Sequence, residues 1–254
     1  MSATAQGAAV ETAPSAAGLD QVRLARSLAV AGIAGAMLAV IVVGALHVTP
    51  DTASISPIGR TISEYALTDL GWAFNLGAVA LALGSLCVFA ALVVAGQARR
   101  GSLGVALGVL WSAALLVVVL FPKHNWAIGP STNGQIHRVA SIVAFLCLPV
   151  AVLLLTRRTG PRADRGPRQP LAARAAFWLG VLSLSWFSLI IGALLLTPIT
   201  GTPWYRAIPL GLVERGLVLT EVTAVFALGV WALTSTKRSR NPRPANPAPI
   251  GPAS

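Results

Sequence analysis

The stretch Leu210 to Leu233 constrains the chain most. It is apolar and long enough to cross a bilayer, yet it holds Glu214, Arg215 and Glu221. At about 1.5 Å of rise per residue, Glu221 lies roughly 16 Å into the stretch, near the middle of a hydrocarbon layer about 30 Å thick. So short a side chain cannot reach the boundary, and a lipid-facing charge at that depth costs on the order of 3 kcal/mol even on the insertion scale. Glu221 must therefore face other helices, and the rest of the chain must supply them. Glu214 and Glu221 are two helical turns apart, so Glu214, Val218, Glu221 and Val225 share one face, the inward one.

Composition agrees with a membrane solution. The chain is 55% hydrophobic and 11% charged with a mean hydropathy of +0.74, whereas soluble domains carry about 25% charged residues. The net charge of +11 sits in short segments between apolar runs, a pattern that suits lipid headgroups and topology and gives no reason to expect nucleic acid. Cys87 and Cys147 both fall inside apolar runs, which implies small buried hydrophobes and no disulfide framework.

Apolar runs recur at Leu28–Leu46, Gly71–Ala95, Leu103–Phe121, Ile136–Leu155, Ala175–Leu196 and Leu210–Leu233. The expected fold is all-α: an integral membrane bundle of six transmembrane helices over residues 27–234. Residues 1–26 and 235–254, rich in Ala, Ser and Pro, are expected to be disordered tails. Arg23 and Arg26 ahead of the first run give it the order of a signal peptide. The run exceeds the roughly 7–15 residues of such a core, so a retained span is expected. Pro122 should stop the third helix, and Pro149 should kink the fourth and free the Phe145 carbonyl. Gly104 and Gly108 form a GxxxG pattern, suited to close contact within the chain or, alternatively, to a homodimer face.

Six spans put both termini on one side, and 14 of the 19 Lys and Arg residues fall on that side. This bias places the termini in the cytoplasm. Aromatics fit the borders: Tyr65, Trp72, Trp126, Trp204 and Tyr205 on the outer side, Trp178 and Trp231 on the inner.

The outer half gathers His47, His124 and His137 with Asp51, Glu64, Asp69 and Glu214. Three imidazoles and several carboxylates could in principle ligate zinc, but no HExxH-type pair occurs, so a hydrogen-bonded cap over the bundle is the better expectation. Pairing of Glu64 or Glu214 with Arg138 would remove unpaired charge from the membrane boundary. Glu64, His137, Arg138, Glu214 and Arg215 are thus the candidate ligand-binding cluster, and Glu221 is the candidate intramembrane acid.

Ile62-Ser63-Glu64-Tyr65-Ala66-Leu67, Gly71-Trp72-Ala73-Phe74, Phe121-Pro122, Thr132-Asn133-Gly134-Gln135-Ile136-His137 and Gly211-Leu212-Val213-Glu214-Arg215, in this order, resemble the signatures of the bacterial six-span membrane family catalogued as domain of unknown function 998. The similarity spans roughly Leu28 to Leu233. It implies the six-helix fold in a bacterial cell membrane and draws attention to Glu64, His137, Glu214 and Arg215, but carries no activity. In the family an acidic residue often follows the Phe-Pro pair by two positions, where this chain has His124.

Three functions are compatible with these features. The first is a binding or accessory protein whose outer polar pocket takes a lipid headgroup or small polar ligand, with membrane lipids as its partners. The second is a proton-coupled transporter using Glu221, disfavoured by the lack of repeats and paired broken helices. The third is an intramembrane metal-dependent hydrolase using the outer histidines. No Walker motif, nucleotide fingerprint, haem attachment site or Ser-His-Asp arrangement is present, so catalysis is the less favoured class and no cofactor is expected.

Overall fold

A computed structural model describes residues 16–125, 128–157 and 170–240. Its helices are α1 (Ala16–Leu46), α2 (Gly71–Val94), α3 (Leu103–Leu120), α4 (Thr132–Thr156), α5 (Leu171–Thr200), a single turn α6 (Trp204–Ala207) and α7 (Leu210–Arg240). All but α6 are long and apolar enough to cross a membrane, and no strand occurs among the described residues. The expected tails at 1–15 and 241–254, most of the basic loop before α5, and Trp126 lie outside the described residues.

The six long helices form a closed ring in chain order, α1 on α2, α2 on α3, α3 on α4, α4 on α5, α5 on α7 and α7 back on α1. α7 also touches α2 and α4 across the ring, and 56% of its apolar window is buried against 22% for α1 and α5. This makes α7 the inner helix, as its acidic residues require. Ala25, Ala29, Gly32, Ala36 and Ala39 of α1, spaced alternately four and three apart, are buried as one seam. A Cβ on Gly32 would stand 2.6 Å from the Gly84 carbonyl oxygen of α2, so the two backbones cross at a distance only small residues permit. Gly104 and Gly108 meet Leu155 of α4 and Phe89 of α2, so that face of α3 is occupied within the chain.

Two tail boundaries need correction. α1 begins at Ala16, not near residue 27, because Ala25 packs in the seam and Gln21 Nε2 donates to the Val94 carbonyl at 2.8 Å. α7 continues to Arg240, past residue 235, because Ser, Thr, Lys and Arg are all tolerated within a helix. Tyr65, expected among the outer border aromatics, is 1% exposed and packs inside the protein.

Helix ends explain the loops. Ser102 and Ser131 cap α3 and α4 by accepting from the N–H groups of Val105 and Gly134. Gly201, at φ +67°, ends α5 in the left-handed conformation. α4 runs through Pro149, which is buried beside α5, its carbonyl oxygen 3.3 Å from where a Cβ on Gly180 would stand.

Candidate functional site

At the end opposite the termini, residues 47–70 lie over the start of α7. Contact begins at Gly211, where a Cβ would overlap the Arg60 carbonyl and come within 2.8 Å of the Pro57 carbonyl oxygen. Glycine alone lets the loop lie on the helix. The Leu212 N–H, in the first turn of α7 and lacking a helical acceptor, donates to the Ile58 carbonyl at 3.1 Å. Glu214, buried, accepts from the Ile62 N–H through Oε2 at 3.2 Å.

Arg215 completes the clasp. Its Nε donates to His47 Nε2 at 2.7 Å, and one terminal nitrogen donates to the carbonyls of Pro57 (2.9 Å), Arg60 (2.6 Å) and Gly211 (3.0 Å). The other reaches the Tyr65 hydroxyl at 3.5 Å, with the guanidinium 6.0 Å from that ring's centre. His47 Nδ1 lies 2.7 Å from the Val43 carbonyl oxygen, which assigns the ring proton to Nδ1 and leaves Nε2 to accept from Arg215. The planar fork of an arginine suits this fan of acceptors; a lysine could not reproduce it.

A second group of polar side chains centres on Lys123. Pro122 has no N–H to give the Val118 carbonyl, four residues before it in α3. His137, buried on α4, supplies the missing donor: its Nδ1 lies 2.9 Å from the Phe121 carbonyl oxygen and 3.2 Å from that of Val118. The Phe-Pro pair and His137 are therefore one device joining α3 to α4. Lys123, next along, donates to Thr61 Oγ1 at 2.6 Å and to Glu64 Oε1 at 3.3 Å, and Arg60 Nε lies 3.0 Å from the other Glu64 oxygen. The Lys123 and Glu64 side chains are only 12% and 15% exposed, so this pair is largely withdrawn from solvent, unlike Arg60 at 59%. Lys123 is also in electrostatic range of Glu214 and of His137.

Glu64, His137 and Glu214 are thus brought around Lys123, and Arg215 is spent on the loop. Arg138 is not brought in: it is exposed and donates to Gln135 Oε1 at 2.8 Å. With His137 inward, its neighbour is turned by about 100° and faces out. Glu221 lies two turns deeper in α7, 3% exposed, outside this group. The three histidines go to different partners, His47 to Arg215, His124 to the Ser131 N–H at 2.8 Å and His137 to the end of α3. No cluster of three His, Cys, Asp or Glu side chains suited to a metal occurs among the described residues. The residue the sequence reading missed is Lys123. Its signal was present: it is one of five basic residues on the basic-poor side, directly after a helix-ending Pro.

The stretches that build this end are Ile62–Leu67, Gly71, Phe121-Pro122, Gly134–His137 and Gly211–Arg215. A family model described as Protein of unknown function (DUF998) matches residues 33–231, nearly the whole ring. The chain belongs to the DUF998 family. No match was found among curated proteins or among solved structures. For this DUF998 member the matched region takes in every residue of the clasp and of the Lys123 group.

Proposed function

We propose that this multi-pass protein binds a lipid headgroup or a small polar ligand at the Lys123 group, and so acts as a binding or accessory protein of the membrane. The observation that carries the reading is a set of unspent hydrogen-bonding positions. Among the described residues, His137 Nε2 and Glu214 Oε1 have no hydrogen-bond partner, and Lys123 uses two of its three N–H donors. A clasp made only for stability would close on itself, as Arg215 does. Two acceptors and one donor around a mostly buried ion pair suit a hydroxyl-bearing polar group, which donates to the acceptors and accepts from the ammonium. By the basic-residue bias the termini are cytoplasmic and this end faces outward; the family resemblance favours a bacterial cell membrane.

The test is native mass spectrometry of the protein extracted with its lipids in mild detergent. The wild type should carry a discrete adduct. Lys123→Met and Glu214→Gln should lose it while both proteins stay folded, because Arg60 still pairs with Glu64 in the first and Gln still accepts from the Ile62 N–H in the second. No wild-type adduct, or one that persists in both variants, would overturn the reading.

A further inference from the structure

We infer that Glu221, Ser183 and Trp111 form an intramembrane site that binds and releases a proton, separate from the polar group at the end of the bundle. The three side chains come from three helices, α7, α5 and α3, and are 3%, 1% and 1% exposed. The Ser183 hydroxyl and the Trp111 indole N–H are the polar neighbours of the Glu221 carboxyl. Yet Glu221 Oε1, Ser183 Oγ and Trp111 Nε1 each lack a hydrogen bond of acceptable geometry. They are neighbours whose geometry falls short of a hydrogen bond.

That condition is uncommon in this bundle. Ser85, Ser112 and Thr220, also buried, turn back onto their own helices and donate to the Leu81, Gly108 and Gly216 carbonyls at 2.6, 3.1 and 3.0 Å. Ser183 does not, so its hydroxyl remains available to the carboxyl. The Trp231 indole N–H is also unpaired, but it has no acid beside it among the described contacts.

Charge selects the guest. On the helices packed against α7, the titratable group in electrostatic range of Glu221 is Cys147 of α4. α2 adds only Cys87, while the ionisable residues of α1 and α5 lie at the termini end. His137 and Arg138 of α4, and Glu214 and Arg215 of α7 itself, belong to the opposite end. Lys237, Arg238 and Arg240 of α7 lie four or more turns away along the helix; among the described residues no protein cation is therefore opposed to the carboxylate, and a proton or a metal cation must neutralise it. A metal cation would need a shell of oxygen ligands, and here it would face an indole N–H with one hydroxyl and the carboxyl. A proton needs none. With the proton on, a small rotation of the side chains lets the acid O–H donate to Ser183 Oγ. When the proton passes to a water molecule reaching the cluster, the carboxylate accepts from Ser183 O–H and Trp111 N–H. Ser183 serves both states and Trp111 the anion, so exchange needs side-chain rotation and no rearrangement of helices.

The experiment is infrared spectroscopy of the full chain in lipid vesicles, titrated from acid to alkaline pH. Wild type should show a buried carboxylic-acid C=O band that disappears at high pH and is absent from Glu221→Gln. Ser183→Ala and Trp111→Phe each remove a donor to the anion, so each should move the loss of the band to higher pH, by about one unit. These two variants also keep the proposal testable if Glu221→Gln fails to fold. A band present at every pH would make Glu221 a permanently neutral structural acid. That result, a missing band, or titration unchanged in both neighbour variants would overturn the proposal.

Discussion

Arg215 shows how one side chain can hold a loop. Its hydrogen bonds go to His47, Pro57, Arg60, Gly211 and Tyr65, over a sequence distance of up to 168 residues. Arg215→Lys keeps the charge but loses the fork, and we expect a loss of about 2–3 kcal/mol in denaturant unfolding of the detergent-solubilised protein. A change below about 0.5 kcal/mol, the scatter of neutral surface substitutions, would mean that the fan contributes little. Gly211→Ala acts on the same contact by sterics alone: the Arg60 carbonyl must move, so limited proteolysis should cut residues 47–67 faster while α7 remains intact. Legibility at this scale was uneven. Burial of Glu214 and Glu221 followed from depth and helical phase, whereas Arg215 facing a loop and Arg138 facing outward depended on which side of each helix met a neighbour. The step of about 100° from His137 to Arg138 was readable once His137 was known to point inward; which of the two did so was not.

Helices were the most legible elements, because hydropathy and length alone fix a span in a layer of known thickness. Their ends were less so. The first turns of α1 and the last of α7 are polar enough to resemble tails, and only contacts such as Gln21 with Val94 fasten the former as helix. The joint between α3 and α4 offers a sharper test. His137 serves a carbonyl that Pro122 has left without a donor, so the two residues should be energetically coupled. His137→Ala alone leaves the Val118 and Phe121 carbonyls without this donor. In a Pro122→Ala background a backbone N–H can serve Val118, and the same His137→Ala change should cost about 1 kcal/mol less. A double-mutant cycle on unfolding free energies measures this directly, and additive losses would contradict it.

At the scale of the whole molecule, the ring of helices has one member, α7, that belongs both to the wall and to the interior. The ring also fixes which exposed positions share an end. Cysteines at Asn133 and Thr202, in a background with Cys87 and Cys147 replaced by Ala, should react with an impermeant thiol reagent in intact cells. A cysteine at Gly101, at the opposite end, should react only after the membrane is opened; the converse pattern would invert the orientation. The clasp also imposes an order on biosynthesis. Residues 47–67 leave the ribosome well before their anchor on α7, Arg215 being 155 residues on from Arg60. Until then the loop has no partner for Ile58, Ile62 or the Pro57 and Arg60 carbonyls on α7. A nascent chain interrupted before α7 would carry an unfastened loop on its surface. An unfastened loop of this kind is open to proteolysis, and the arrival of α7 closes it off.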